Sequence, residues 1–241
     1  MQASKIKQEI RKRVWDFMEK NNIATFPRPV YNRIPNFVGS DKACLKISEL
    51  DIFKKSKVIK VNPDAPQRKI REIILKEGKT LVFATPRLKE GFLIIDGSKI
   101  NSSEIRTAST IKGAFYYGKK LHPSELPVVD LIISGSVAVT KNGERIGKGE
   151  GYSELEFAIL LHYKKIDKNI TIITSVHESQ IVDFIPLEPF DVTVDIITTP
   201  TNVIKVERRA ERSNGILWEF LSSDKIEEIP LLKELKFQNY S

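Results

Sequence analysis

The sequence predicts an α/β fold: a three-layer α/β/α sandwich around a mostly parallel, mixed sheet, in one domain with a C-terminal extension. Three observations lead there. Short β-branched apolar runs alternate with amphipathic helical patterns, as at residues 58–84. A largely apolar run over residues 128–134, interrupted by Asp130, reads as a buried strand. A glycine-rich turn then joins extended chain to a helical segment, the usual place for a site on such a sheet.

The elements follow in order. Ile6, Ile10, Val14 and Met18 repeat every four residues and form one helical stripe, ended by Asn21 and Asn22. Lys7 and Arg11 are also four apart and project together. The Phe26-Pro27-Arg28-Pro29 stretch is non-helical, because proline drives the preceding residue toward extended backbone. Asp41 is the expected cap of a helix running to about residue 53, with Ala43, Ile47 and Leu50 inward. A strand at 58–61, a helix begun by Pro66 and stopped at Gly78, and a strand at 80–84 make a βαβ unit. A further strand is expected at 92–95, then loops with one short helix over 97–127.

After the buried strand, residues 137–140 continue extended. A helix at 155–163 and strands at 170–174 and 192–198 follow, the last closed by Pro200. Ile216, Trp218 and Phe220 alternate as in a short strand, and residues 222–224 cap a final helix carrying Leu231, Leu232 and Leu235. We divide the chain into an α/β domain, 1–205, and an extension, 206–241, packing on it.

Composition narrows the function classes. The 241 residues are 41% hydrophobic and 29% charged, which suits a soluble globular chain and not a disordered one. No apolar run reaches the ~20 residues of a membrane helix. The lone cysteine, Cys44, excludes an intrachain disulfide and reads as a buried helix residue. A cytoplasmic location is the expectation. The net charge of +8 favours anionic partners, with small basic clusters at 5–13, 54–60 and 208–212. His122, His162 and His177 show no metal-ligand spacing, Trp15 and Trp218 read as packing residues, and Ser134 and Ser136 have no triad partners.

The segment Gly143-Glu144-Arg145-Ile146-Gly147-Lys148-Gly149-Glu150-Gly151-Tyr152 carries the chemistry. Glycines let backbone N–H groups approach an anion closely, the next helix start adds to that field, and Arg145 and Lys148 supply mobile charge for phosphate. The spacing is neither a Walker A loop nor a dinucleotide fingerprint.

This segment resembles the G-x-R-x-G-R/K-G-x-G-Y-Y-D signature of the 5-formyltetrahydrofolate cyclo-ligase family. Lys7-Gln8-Glu9-Ile10-Arg11, residues 130–138, Gln180 and residues 191–198 resemble further family motifs in the same order. Residues 26–30, 33–37, 85–88 and 145–152 are similar to its methenyltetrahydrofolate synthetase domain-containing branch.

The resemblance implies an ATP- and Mg²⁺-dependent ligase that closes 5-formyltetrahydrofolate, or a related pterin, to the 5,10-methenyl form. Lys7 and Arg11 then bind ATP phosphates. Arg145, Lys148 and the amides of Gly147, Gly149 and Gly151 form the phosphate loop. Tyr152 borders both sites, and Glu154 stands where the family has a Mg²⁺-linked Asp. Asp64 substitutes for a folate-contacting Glu. Arg87 and His177, each following a strand, are expected to line the substrate pocket.

Two departures stand out: Tyr152-Ser153-Glu154 replaces Tyr-Tyr-Asp, and Asn62-Pro63-Asp64 replaces a Glu-Val-x-Thr stretch. They make a paralogue with another substrate, in thiamine-related metabolism, the alternative. A non-catalytic RNA-binding member is less favoured, because aromatic-flanked basic patches are sparse; Arg28, Tyr31, Arg33 and Phe37 come nearest.

Overall fold

The computed structural model describes residues 2–207 and 210–238. The first helix, α1 (Gln2–Lys20), buries Ile10, Val14, Trp15 and Met18 together with Lys7 and Arg11. The next helical region is two pieces, α2 (Ser40–Glu49) and α3 (Asp51–Lys55), because Leu50 is extended at ψ 140°. Asp41 does not cap it. Gly39, at φ 87°, is the N-cap and no side chain bonds there. Asp41 lies in the first turn, where its charge suits the helix dipole.

The βαβ unit forms as β1 (Val58–Val61), α4 (Arg68–Lys76) and β2 (Thr80–Ala84), with a 3-10 turn at Ala65–Gln67 ahead of α4. Then come β3 (Phe92–Asp96), α5 (Ile105–Ala108), α6 (Ile111–Tyr117) and β4 (Lys119–Leu121). Residues 97–127 thus hold two short helices and an edge strand where one helix was expected. Four-to-seven-residue helices and a three-residue strand leave too few turns for a periodic signal.

The chain continues through β5 (Leu131–Ser134), β6 (Ala138–Val139), β7 (Arg145–Ile146), α7 (Tyr152–His162) and β8 (Ile172–Ser175). It ends with β9 (Ile196–Thr198), β10 (Val203–Lys205), α8 (Ser223–Glu228) and α9 (Pro230–Gln238). Strand β10 returns antiparallel to β9 beyond Pro200, so the proline turns the chain and does not end the sheet. Ile216, Trp218 and Phe220 form no strand; Trp218–Phe220 is a 3-10 turn. Ser222 caps α8 through its side chain, but extended Ile229 breaks the final helix in two.

The sheet order is β10-β9-β8-β5-β1-β2-β3-β4. Strands β9, β8, β5, β1 and β2 run parallel, and β3, β4 and β10 make antiparallel edges. Alternate residues feed opposite faces. Ile59, Val61, Leu81 and Phe83 meet Ile47, Phe53, Ile70 and Ile74 of α2, α3 and α4. Val82, Ile132 and Ile172 meet Leu155, Phe157 and Ile159 of α7, joined by Ile226, Ile229, Leu231, Leu232 and Leu235 of the C-terminal segment. Helix α1 packs on a third cluster with Phe37, Val137 and Ile146. Cys44 is fully buried, and burial pushes its thiol up to about 12.

Of the basic run at 208–212, Arg208 and Arg209 lie outside the described residues. Arg212 is no surface charge: it is buried and donates to Ile170 O (2.7 Å), Thr193 O (3.0 Å) and Asp195 Oδ2 (2.6 Å). None of the helices among the described residues is long and apolar enough to cross a membrane.

Because Leu232 is wholly buried in the cluster that also holds the α7 side chains, Leu232→Ala should cost about 2–5 kcal/mol. Urea unfolding should show a single transition with a lowered midpoint. An unchanged midpoint would mean that the C-terminal helices do not share the sheet's core.

Candidate active site

Strands β5 and β1 lie side by side, yet the chain leaves them in opposite directions across the sheet. Such a reversal opens a crevice beyond the carboxyl ends of parallel strands. Here a cleft of about 1190 Å³ opens there, lined by Asn62 and Asp64 after β1, Thr85 and Arg87 after β2, and Gly135 after β5. Helix α1 contributes Lys7 and Arg11, and residues 147–154 line the cleft beside them.

The glycine-rich segment is a small hairpin, β6 with β7, followed by a loop that enters α7. Gly149 (φ 107°) and Gly151 (φ 73°) have left-handed backbone that other residues rarely adopt. A Cβ on Gly149 would touch the Arg11 guanidinium carbon at 3.4 Å, while one on Gly151 would meet open space. Gly151 is also the N-cap of α7, whose first-turn N–H groups have no partner within the helix. Loop, helix start and cleft therefore converge on one place suited to an anion.

Arg145 does not supply the mobile charge expected of it. Its side chain is about 1% exposed, donates from Nη1 to Gly135 O (2.8 Å) and pairs through Nη2 with Glu154. It borders the cleft as a clamp between β7, the end of β5 and α7. The mobile cation is Lys148, 40% exposed and 3.0 Å from Glu150.

Lys7 is occupied as well. Its ammonium lies 2.6 Å from Asp191 Oδ2 and 2.7 Å from Glu188 Oε2, and its side chain is 5% exposed. That geometry pins residues 188–191 onto α1. Arg11 Nε donates to Gly147 O at 2.7 Å, so Arg11 holds the loop from behind. Burial lowers its affinity for the proton, partly offset by Glu154 and Asp191.

Tyr152 starts α7 at the cleft. Its hydroxyl donates to Glu228 Oε1 (3.3 Å), and burial raises the phenol's pKa. Arg87 lies in the left-handed region at φ 56° and also reaches Glu228 Oε1, at 3.4 Å. Asp64 packs against Gly135, where an added Cβ would come within 3.0 Å of its Oδ2. Desolvation pushes the Asp64 carboxyl above its ordinary range, against the pull of Lys148, Arg71 and Lys60.

His177 is the residue the structure places elsewhere. It is not among the side chains lining the cleft. Its Nδ1 accepts from Ser179 N (3.1 Å) to cap a short turn, and its ring packs edge-on against Phe37. Gln180 anchors that turn by donating to Ser136 O (2.9 Å).

Two residues of the site, Lys60 and Arg71, have no place in the sequence reading. Lys60 on β1 and Glu156 on α7 form a buried ion pair, with Glu156 lining the cleft, and Lys60 also donates to Asn62 Oδ1 at 3.2 Å. Arg71 donates to Asn62 O (2.8 Å), Asp64 O (2.9 Å) and Ser109 O (2.8 Å), fixing the segment that carries Asp64. The signal was available: Lys60 interrupts the apolar strand 58–61 and Glu156 the apolar helix 155–161, and a buried charge requires a partner. Among the described residues, no group of three or more His, Cys, Asp or Glu is placed to hold a metal.

Comparison with known proteins agrees with this architecture. A sequence model of the 5-formyltetrahydrofolate cyclo-ligase family matches residues 3–200. The chain is 41% identical over 235 residues to the methenyltetrahydrofolate synthase domain-containing protein of Homo sapiens, covering 95% of this chain and 61% of that protein. It is 40% identical over 235 residues to the protein of that name from Danio rerio, again covering 95% and 61%. The chain thus spans about three fifths of these curated relatives. The solved structure of Aquifex aeolicus 5,10-methenyltetrahydrofolate synthetase superposes with a TM-score of 0.54 at 19% identity, covering 90% of this chain and all of that one; the likeness is one of fold.

Two predictions come from the charges. Arg145→Met leaves Glu154 and buried carbonyls unpaired and should cost about 3–5 kcal/mol in urea unfolding, whereas the exposed Lys148→Ala should stay within about 0.5 kcal/mol; equal costs would refute the clamp. Asp64 binds its proton more tightly folded than unfolded, so it lowers stability as pH rises from the ordinary carboxylate range through its raised value. Asp64→Asn should therefore be more stable than the parent at pH 8, with the advantage fading below pH ~4. A pH-independent difference would show that Asp64 is not desolvated.

Proposed function

Because the chain belongs to the 5-formyltetrahydrofolate cyclo-ligase family, we propose that its cleft carries out an ATP- and Mg²⁺-dependent ring closure of 5-formyltetrahydrofolate, or a related reduced pterin, to the 5,10-methenyl form. One juxtaposition carries the reading: a glycine loop backed by Arg11 and fronted by Lys148 faces the polar floor of Asn62 and Asp64 across one cleft. Anion-binding and substrate-binding walls thus meet where the sheet order reverses.

The residues fit a triphosphate. Gly149 and Gly151 leave room for close backbone approach, and the start of α7 adds its N–H groups. Bound ATP, with its metal ion, supplies the phosphoryl group that makes the formyl oxygen a leaving group. Lys148, whose surface pair with Glu150 is exposed to solvent, can follow phosphate oxygens, whereas Arg145 and Lys7 are buried in their ion pairs. Arg11 keeps the loop's shape through Gly147 O. Mg²⁺ keeps several waters and needs only one or two carboxylates beside phosphate, and Glu154, in the first turn of α7 with its Oε1 engaged by Arg145, is the carboxylate this reading offers it through Oε2. Tyr152 stands between the loop and the substrate wall. Alignment and charge neutralisation are what such chemistry asks of a protein.

The departure at residues 62–64 favours a second reading. Asp64, which lines the cleft, stands where the family has a longer Glu, and this suits a paralogue that binds ATP but acts on another heterocycle.

The test is ATP consumption with Mg²⁺, with and without 5-formyltetrahydrofolate, followed by methenyl absorbance. Methenyl formation supports the first reading; ATP binding without methenyl product supports the second; no ATP binding overturns both. Lys148→Ala should raise the KM for ATP about tenfold, equivalent to ~1.4 kcal/mol, with kcat changed less. An unchanged KM would remove Lys148 from the phosphate site.

A further inference from the structure

We propose that helix α8, beyond the family-matched region, is part of the site: Glu228 and Lys225 position Tyr152 and Arg87 at the cleft mouth, and so determine which second substrate fits opposite the phosphate loop. The proposal deepens the function given above and rests on it for the identity of that substrate.

The family match ends at residue 200 and α8 begins at Ser223. Even so, α8 reaches two cleft residues from unrelated elements. Arg87 follows β2 and Tyr152 opens α7, and both meet one oxygen, Glu228 Oε1, at 3.4 and 3.3 Å. Lys225 is three residues before Glu228, on the same helical face. Its ammonium lies 3.4 Å from the centroid of the Tyr152 ring. Tyr152 is thus held at both its face and its hydroxyl, which leaves it one orientation at the mouth.

The hold is firm because α8 itself is anchored. Ser222 caps it, and Ile226 and Ile229 are buried in the cluster that contains Leu88 and Leu155. Those two leucines are close sequence neighbours of Arg87 and Tyr152. Arg87 and Leu88 both adopt positive φ, 56° and 54°. Side chains other than glycine rarely adopt that conformation, and when they do it clusters at ligand sites.

Energetics separate orientation from stability. The Arg87–Glu228 pair is 59% and 32% exposed, and a pair so exposed adds little to folding. A fixed tyrosine and arginine instead remove rotamer freedom that a bound substrate would otherwise have to quench. Glu228 is accordingly a positioning residue.

The experiment compares Glu228→Ala and Glu228→Gln with the parent in steady-state kinetics, alongside NMR of protein carrying ¹³Cζ-tyrosine, with the Tyr152 resonance assigned from Tyr152→Phe. Glu228→Ala should raise the KM for 5-formyltetrahydrofolate about tenfold while the KM for ATP stays within about twofold. Glu228→Gln keeps an acceptor for the Tyr152 hydroxyl and should recover most of that loss. The Tyr152 resonance should move in Glu228→Ala and stay near the parent position in Glu228→Gln. Equal changes in both KM values, or an unmoved Tyr152 resonance, would overturn the proposal. If the parent forms no methenyl product, the first reading of the function fails by itself, and the Tyr152 resonance alone then decides the role of α8.

Discussion

A single guanidinium ties this molecule together at its working end. Arg145 leaves the short strand β7, takes the carbonyl of Gly135 at the tip of β5, and pairs with Glu154 in the first turn of α7. It thereby joins the loop, the sheet and the helix whose N-terminus faces the cleft. With Nε also donating to Val192 O at 3.4 Å, the planar donor array serves three acceptors in different directions, a spread that one lysine ammonium would not span. The glycines around it have their value only because this frame is rigid. A loop of four glycines without an anchor would sample many shapes, and its amides would not converge.

The same logic governs the other buried charges. Lys7 meets Asp191 and Glu188, Lys60 meets Glu156, and Arg71 reaches three carbonyls. Each buried cation is matched, because an unmatched one would be far too costly to keep in the interior. The consequence is a division of labour: the buried cations build the cleft walls, and the half-exposed Lys148 remains able to follow a ligand. The family resemblance points Lys7, Arg11, Arg145 and Lys148 all toward phosphate; residue type and spacing do not say which cation the fold has paired.

The C-terminal segment changes how the cleft is understood. Its leucines belong to the cluster under α7, and α8 reaches the mouth through Lys225 and Glu228. The match to the family's sequence model ends at residue 200, so the wall at the mouth is built from outside the segment that model covers.

The sequence by itself determined the parallel βαβ core, the helical face that carries Lys7 and Arg11, and the glycine loop between strand and helix. Those features are local: hydrophobic periodicity, capping residues and glycine spacing act within a dozen residues. Only the tertiary structure decided that Arg145 and Lys7 are clamps, that His177 caps a turn beside Phe37 away from the cleft, and that Glu228 meets Tyr152 and Arg87. Several of these pairings join residues far apart in sequence, from Tyr152 with Glu228, 76 positions, to Lys7 with Asp191, 184; Arg145 and Glu154, nine apart, meet only because the loop between β7 and α7 brings them together. A charge's role depends on which opposite charge the fold brings within 3 Å or so, and on how much water is left around them.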